Sequence, residues 1–265
     1  MERKAVRRFF SSLSIWLMLA AVPVMAEQWT FVTEDFPPFT HPAEDVGSLE
    51  VGVLAGGPLV EIVQSACARL DRECPIMLHP WQRALRMAEQ GEADGIFTVI
   101  RSPDRERAFH ISRMLVMSRY SVFARDDSNF IFSDPNDLMG RTVGVYGPSG
   151  TSWVLSEHLK SIADVRIHLT LNNRRLLNML QSGRFGKEGL AVVNQDVAWH
   201  LIEDEQLDGL REAGELAVVH YGIGLSRKRI SEEQFHAFEQ ALDAAIADGT
   251  VPRILRRYQL EAAYP

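Results

Sequence analysis

Cysteine, lysine and closely spaced histidines are scarce in this sequence. Cys67 and Cys74 are its two cysteines, and none of its eight histidines has a second histidine four residues further on. This composition matches no zinc-binding pattern, so we expect neither a metal site nor a resident cofactor. An oxidising compartment would permit a bridge between the two cysteines, and a free, partly buried pair stays open as the alternative.

Catalytic motifs are missing as well. The stretch "GPSGTS", residues 147–152, resembles a hydrolase nucleophile elbow, but Thr151 stands where the second glycine of G-x-S-x-G is required. The same stretch lacks the lysine of a phosphate-binding loop. The sequence therefore argues against a serine hydrolase and against a nucleotide-binding loop at this position, and it favours a protein without catalytic activity.

A surplus of positive charge is absent too. Residues 27–265 carry 24 basic and 34 acidic side chains, a net charge of −10. A chain of this charge has no basic excess to displace counterions from phosphates, so we expect no nucleic-acid partner. With 46% hydrophobic and 24% charged residues, the chain has enough apolar material for a packed core.

Long apolar runs are also lacking, apart from a short one at the start. Arg3, Lys4, Arg7 and Arg8 precede an apolar stretch over residues 13–21, and "VMA" ends at Ala26. This order is typical of a secretory signal peptide, predicted at residues 1–26 and removed after export. A membrane anchor is the alternative, but the run is shorter than the roughly 20 residues that span a bilayer.

Strand-like and helix-like segments alternate along the rest of the chain. Strands are expected at residues 29–33, 74–81 and 93–100, with helices that start at Pro58 and close at Gly91. After a division near residues 125–134 the alternation repeats in "RTVGVYG", "SGTSWVLSEHL", "VRIHLTL", "RRLLNMLQSG" and "GLAVVN". This order predicts an α/β protein built from two successive units with mostly parallel sheets.

The helix that begins at "GTS" directly after a strand is a candidate anion site. Its first backbone N–H groups and its positive dipole end can hold an anion, helped by the hydroxyls of Thr151 and Ser152. Ordinary capping by Ser149 or Thr151 is the simpler interpretation, and the two are compatible.

Several segments together resemble a known family. In order, "FPPF", "PWQRALRMAEQGEADGIF", "SPDRERAFHIS", "VGVYGPSGTS", "NMLQSG", "GIGLSRKR" and "FEQALDAAIADGTVPRILRRY" resemble the family 3 solute-binding proteins, the periplasmic receptors of polar-amino-acid ABC importers. The resemblance implies a two-lobed type II periplasmic binding protein fold whose lobes are joined by two hinge strands. Lobe 1 would take residues 27–124 and 219–265, and lobe 2 would be the insertion 125–218. The ligand would lie between them.

The resemblance also implies site residues. The family's T-P-E-R element supplies a guanidinium to the ligand's carboxylate, and "SPDR" places Arg105 on that position. Gly150 and Thr151 match the carboxylate contacts of lobe 2, and Phe36 matches the stacking aromatic, which is usually Tyr. Trp81, at the end of the second strand, would face the same crevice. Thr98 could supply a hydrogen bond.

One position departs from the family pattern. Amino-acid receptors usually carry an acidic residue after the last strand of lobe 2 for the ligand's ammonium, whereas this sequence has Asn194 or Gln195. Either Glu34 supplies that charge from lobe 1, or the ligand is not an α-amino acid. Of the two arginines close to Arg105 in the chain, Arg107 is expected in solvent, and whether Arg101 faces the crevice stays open.

These inferences lead to a periplasmic solute-binding protein, expected to be a monomer. It would capture a small carboxylate-bearing solute and would deliver it to the membrane subunits of an ABC importer. An amino acid is one candidate for this solute. Two alternatives remain: an enzyme on the same clamp, similar to cyclohexadienyl dehydratase with Glu34 as its acid, and a binding module that reports to a separate sensor protein.

Overall fold

The computed structural model describes residues 28–43 and 53–264, and the predicted signal peptide lies outside them. In the described part the strands are β1 (Phe31–Thr33), β2 (His41–Pro42), β3 (Val53–Gly56), β4 (Ile76–Leu78), β5 (Gly95–Val99), β6 (Phe109–Ile111), β7 (Val116–Arg125), β8 (Thr142–Tyr146), β9 (Arg166–Thr170), β10 (Leu190–Asn194), β11 (Leu210–Ser226) and β12 (Glu261–Ala262). The helices are α1 (Pro58–Arg69), α2 (Trp81–Gln90), α3 (Pro103–Ala108), α4 (Gly150–His158), α5 (Asn173–Gln181), α6 (Gln195–Asp204), α7 (Glu232–Ala247) and α8 (Thr250–Arg257).

Two groups of parallel strands form the centres of the two lobes. In lobe 1, β1 pairs in parallel with both β4 and β5, and in lobe 2, β8 pairs in parallel with both β9 and β10. Every residue of β5 and of β10 is buried, as expected for strands that helices cover on both faces. The α/β architecture and the two-lobed fold predicted from the sequence are confirmed.

Two long strands, β7 and β11, connect the lobes. They pair with each other along their length in antiparallel fashion, from Val116 opposite Tyr221 to Arg125 opposite Leu210. The far end of β11 also pairs with β5 and β6 of lobe 1, whereas the middle of β7 pairs with β10 of lobe 2. The chain therefore crosses from one lobe to the other within β7 and within β11. The predicted lobe bounds at residues 124 and 219 fall within them and stay a prediction.

Local sequence signals account for several helix ends. Pro58 is the first residue of α1, Gly91 closes α2 in the left-handed conformation, and Ser231 forms a capping box with Gln234 at the start of α7. One prediction was wrong. Trp81 is the first residue of α2 and does not end a strand, because Pro80 directly precedes it and β4 stops at Leu78.

The two cysteines form a disulfide, which settles the alternative that the sequence left open. Cys67 in the last turn of α1 is bonded to Cys74 just before β4, and their Cα atoms are 6.2 Å apart. Both residues are buried in the core of lobe 1. The bond ties the end of this helix to the start of the next strand, and neither cysteine is among the residues that line the cavities between the lobes.

Candidate functional site

A narrow cavity lies between the lobes, and we call it the inner cavity. Its volume is about 20 Å³, room for about one water molecule. The side chains around it come from both lobes: Glu34, Phe36, Trp81, Thr98, Ile100, Arg105, Tyr120, Tyr146, Ser149, Gly150, Thr151 and Tyr221. Seven of the eight predicted site residues are among them, and the eighth, Asn194, is not.

Arg105 enters the inner cavity from lobe 1. It lies on α3, where the hydroxyl of Ser102 accepts a hydrogen bond from its backbone N–H at 3.4 Å. Its guanidinium donates to the Glu89 carboxylate at 3.0 Å and lies over the Trp81 ring, 5.8 Å from the ring centre. Burial lowers the pKa of Arg105 below its usual value, and Glu89 opposes this shift. The remaining N–H groups of a planar guanidinium can still bind a carboxylate.

The start of α4 faces Arg105 from lobe 2. Ser149 and Ser152 cap the helix reciprocally, through hydrogen bonds of 3.2 and 2.9 Å, so Ser149 rather than Thr151 is the cap. Gly150 and Thr151 are the first two helical residues, and helical N–H groups at these positions have no partner within the helix. A Cβ atom at Gly150 would lie 3.0 Å from the Tyr120 hydroxyl, so a larger residue would crowd the cavity.

Glu34 and Tyr146 join the lobes across the cavity. The Tyr146 hydroxyl donates to the Glu34 carboxylate at 2.9 Å. Burial raises the pKa of Glu34 to about 8, with a further contribution from Asp35, while the hydrogen bond from Tyr146 opposes the change. At neutral pH this carboxyl group is therefore mostly protonated.

Aromatic rings form the apolar side of the inner cavity. Phe36 packs against Phe39 and Tyr221, with ring centres 5.5 and 6.0 Å away. Trp81 is 4% exposed, and its indole N–H is buried without a hydrogen-bond partner among the described residues. A buried donor without a partner costs about 1–3 kcal/mol, so a bound ligand that accepts this bond would gain affinity.

Thr98, the fourth residue of β5, has an unusual backbone. Its φ is 62°, in the left-handed region that β-branched residues rarely adopt. Its hydroxyl donates to the carbonyl of Phe97. Backbone strain of this kind clusters at binding and catalytic sites, which agrees with the position of Thr98 at the cavity.

Asn194 is fully buried and lies outside the inner cavity. Its amide donates to the hydroxyls of Ser118 at 2.8 Å and Tyr221 at 3.0 Å, and its oxygen caps α6 through the N–H of Val197 at 3.0 Å. Its neighbour Gln195 donates to Glu212 at 2.9 Å. The expectation that Asn194 reaches the ligand directly therefore finds no support in its placement, because these bonds turn its amide toward the crossing strands.

The other two arginines near α3 lie outside the inner cavity. Arg101 donates to Glu106 at 3.1 Å and to the carbonyl groups of Ile111 and Ser112. Arg107 pairs with Asp104 and is largely exposed, as the sequence predicted. Of the three arginines in this segment, Arg105 alone lines the cavity.

A larger cavity adjoins the inner one, and we call it the outer cavity. It measures about 410 Å³ and shares Glu34 and Tyr146 with the inner cavity, so their hydrogen bond forms the partition between the two. Its polar lining includes Asp35, His79, Asn172, Asn173 and Arg174, from both lobes. Sequence reasoning missed Tyr146, although it ends β8, and the carboxyl ends of parallel strands are where such folds bind ligands.

Comparison with known proteins agrees with this geometry. The profile of the bacterial extracellular solute-binding proteins, family 3, matches residues 30–261. None of the curated protein sequences matches the chain.

No helix in the described ranges has the length and apolar character needed to cross a bilayer. Within the same ranges no cluster of three or more His, Cys, Asp or Glu side chains could hold a metal ion.

Three solved structures illustrate the shared fold. A histidine kinase sensor domain with similarity to periplasmic binding proteins has a TM-score of 0.77 at 19% identity, over 89% of this chain and 98% of that one. An ancestral arginine-binding protein bound to arginine has a TM-score of 0.74 at 19% identity, over 87% and 97%. An ancestral amino-acid-binding protein, a precursor of cyclohexadienyl dehydratase, has a TM-score of 0.70 at 14% identity, over 87% and 94%.

Proposed function

Since the chain belongs to family 3 of the bacterial extracellular solute-binding proteins, we propose that it captures a small carboxylate-bearing solute between its lobes for import. One observation carries the proposal: Arg105 of lobe 1 and the start of α4 in lobe 2 line the same cavity from opposite sides. A guanidinium and the free N–H groups of a helix start are both suited to carboxylate oxygens. Contacts from both lobes would hold the clamp closed once the ligand is present.

Ligand entry requires the lobes to separate. The inner cavity of about 20 Å³ is too small for a carboxylate with its carbon skeleton. Since two long strands, β7 and β11, connect the lobes, opening is a hinge motion about them. The ligand then replaces the hydrogen bond between Tyr146 and Glu34 with bonds of its own, and the closed form presents it to the partner.

The proposed partner is the membrane part of an ABC importer, and the proposed compartment is the periplasm. The signal-peptide pattern over residues 1–26 supports export. Sequencing the N-terminus of protein from a periplasmic fraction should then give Glu27 as the first residue. Uptake of the identified solute should fall in a strain that lacks this protein. If uptake were unchanged, a sensor partner would replace the importer in the proposal.

A thermal-shift screen tests the binding role. Amino acids, dicarboxylates and small peptides should include a ligand that stabilises the protein, by about 2.7 kcal/mol at 100 times its Kd. Arg105→Ala should abolish that shift. Arg107→Ala is the matched control, because it removes an exposed arginine from the same helix. An equal loss in both variants, or none in Arg105→Ala, would contradict the proposal.

A second candidate is an acid-catalysed dehydration on the same clamp. It is favoured by Glu34, an enclosed carboxyl group whose pKa burial raises to about 8, so that it can donate a proton at neutral pH. A carboxylate substrate held by Arg105 would place a hydroxyl near this acid; the hydroxyl would leave as water with the proton of Glu34, and the substrate would lose a proton or carbon dioxide from another carbon to form the new double bond. Incubation with a cyclohexadienyl acid and analysis of the products decides between the two. A ligand recovered unchanged favours transport.

A further inference from the structure

Buried hydrogen bonds connect the inner cavity to Asn194, which does not line it. Tyr120 and Tyr221 both line the cavity, and their hydroxyl oxygens are 3.2 Å apart. The amide of Asn194 donates to the Tyr221 hydroxyl at 3.0 Å. All three side chains are at most 2% exposed, so their polar atoms bond to one another inside the protein. We call these three residues the hydroxyl network.

The backbone fixes the orientation of the Asn194 amide. Its side-chain oxygen caps α6 and accepts a hydrogen bond from the N–H of Val197 at 3.0 Å. Since a backbone N–H can only donate, the atom that faces it must be the oxygen, and the amide nitrogen must face the other way. This nitrogen donates to the hydroxyls of Ser118 and Tyr221. Asn194 is therefore a donor in the hydroxyl network.

The orientation of the amide determines the direction of the bonds beyond it. The Tyr221 oxygen accepts from Asn194, and its proton is donated to the Tyr120 oxygen. Tyr120 then keeps a proton of its own to donate elsewhere. Burial raises the pKa of Tyr120 to about 12, against hydrogen bonds with Tyr221 and Thr151, so the hydroxyl stays protonated at neutral pH.

The Tyr120 hydroxyl lies at the start of α4. A Cβ atom at Gly150 would be 3.0 Å from it, and both residues line the inner cavity. The first N–H groups of α4 have no partner within the helix. A proton that Tyr120 donates into this space therefore adds one donor to the group proposed to hold a carboxylate.

A second branch starts at the same amide and ends elsewhere. The Ser118 hydroxyl accepts from Asn194 at 2.8 Å and donates to the carboxylate of Asp196. Neither Ser118 nor Asp196 lines the inner cavity. This branch shares the donor but not the destination, so it provides an internal control.

We propose that Asn194 is a positioning residue that makes the Tyr120 hydroxyl a hydrogen-bond donor toward the inner cavity. This inference rests on the proposed binding function and adds a residue that acts on the ligand through others. A carboxylate at position 194 would reverse the network, because it only accepts. Tyr221 would then donate to it, Tyr120 would donate to Tyr221, and the Tyr120 oxygen would have no proton left for the cavity.

NMR of the tyrosine hydroxyl protons, in protein with isotope-labelled tyrosine and no added ligand, tests the direction of the network. Asn194→Asp keeps a good cap for α6, so the variant should fold. Its Tyr221 hydroxyl proton should shift downfield, because a hydrogen bond to a carboxylate is shorter and stronger than one to a hydroxyl. Ser118→Ala is the matched control and should leave this proton near its wild-type position. An unchanged Tyr221 signal in Asn194→Asp, or an equal shift in Ser118→Ala, would overturn the inference.

Calorimetry measures the consequence for binding, with the amino acids and dicarboxylates of the thermal-shift screen as probes. Tyr120→Phe should weaken the binding of the stabilising probe about fivefold, the value of one hydrogen bond. In the Asn194→Asp background the same change should cost less, since Tyr120 no longer donates there. Non-additive losses are expected of residues in one hydrogen-bond network. Equal losses in the two backgrounds would also overturn the inference.

Tyr221→Phe separates the network from a direct effect of the new charge, because it interrupts the network and keeps the ring. Asn194→Asp should lose less affinity in this background than in the wild type. Equal losses would show that the charge acts on the probe directly, which contradicts the inference. Binding that ignores Arg105→Ala would contradict the proposed function instead, and the NMR result would still decide the direction of the network.

Discussion

The inner and outer cavities share Glu34 and Tyr146, but they differ in size and in the polar groups that they offer. The inner cavity is almost closed and is lined by Arg105 and the start of α4, whereas the outer cavity is about twenty times larger and is lined by polar side chains of both charges, Asp35 and Arg174 among them. The partition formed by Glu34 and Tyr146, which we call the wall, therefore has different surroundings on its two sides. The comparison indicates that the inner cavity holds one end of a ligand and that the outer cavity leaves room for the rest of it.

The largest expected effect concerns the wall itself. The pKa of Glu34 is raised in the folded protein, so unfolding releases a proton above pH 4.5, and stability falls as pH rises from about 4.5 to 8. Glu34→Gln cannot ionise and avoids this penalty. The free energy of unfolding of the variant should exceed that of the wild type by on the order of 2–4 kcal/mol at pH 9, and by little at pH 4.5.

Denaturant titrations between pH 4.5 and 9, without ligand, measure this difference. Glu157→Gln is the control, since it alters an exposed glutamate on α4 that pairs with Lys160. A difference that does not grow with pH would mean that the wall is an ionised carboxylate. Both cavities would then share a negatively charged side chain at Glu34.

The second-largest effect concerns the ligand affinity that depends on the planar guanidinium of Arg105 in the inner cavity. Arg105→Lys keeps the charge but loses the planar fork that binds a carboxylate through two bonds, so affinity for the ligand should fall about 30-fold. Calorimetry with the ligand from the thermal-shift screen measures the loss. Arg107→Lys, on the same helix, should leave the affinity unchanged. Equal affinities of Arg105→Lys and wild type would show that only charge matters there.

A smaller effect isolates the indole N–H of Trp81. Trp81→Phe keeps the apolar contact but removes the donor, so affinity should fall about fivefold, the value of one hydrogen bond. Without added ligand the variant should not lose that amount of stability, because the indole N–H has no hydrogen-bond partner among the described residues. Trp199→Phe is the control for affinity, because this exposed tryptophan is not among the residues that line the inner or the outer cavity. Parallel losses of stability and affinity would indicate that Trp81 serves packing alone.

Local patterns in the sequence predicted the framework and one end of the site. The apolar runs of β5 and β10, and the serine and glycine residues before α4, depend on neighbours close in the chain. These strands and this helix start lie where the sequence placed them because short-range geometry determines them. The position of Arg105 followed instead from the resemblance of its segment, "SPDR", to the family's element.

Contacts between distant segments could not be predicted in this way. Glu34 and Tyr146 are 112 residues apart, and they meet only because the lobes close on each other. Asn194 turned away from the crevice because Ser118 and Tyr221, on the two crossing strands, take up its amide. Arg174, which lines the outer cavity, likewise pairs with Glu205 at the end of another helix.

An effect of the same size as that of Trp81→Phe concerns how firmly the hydrogen bond between Tyr146 and Glu34 holds the lobes together when no ligand is added. Tyr146→Phe removes the hydrogen bond to Glu34, which contributes about 1 kcal/mol, so the ratio of closed to open molecules should fall about fivefold. Small-angle scattering of the ligand-free protein should then show a larger radius of gyration, and saturating ligand should restore the wild-type value. Tyr258→Phe, which removes a bond to Glu61 within lobe 1, is the control. If both variants scatter like the wild type, the wall separates the two cavities without holding the lobes closed.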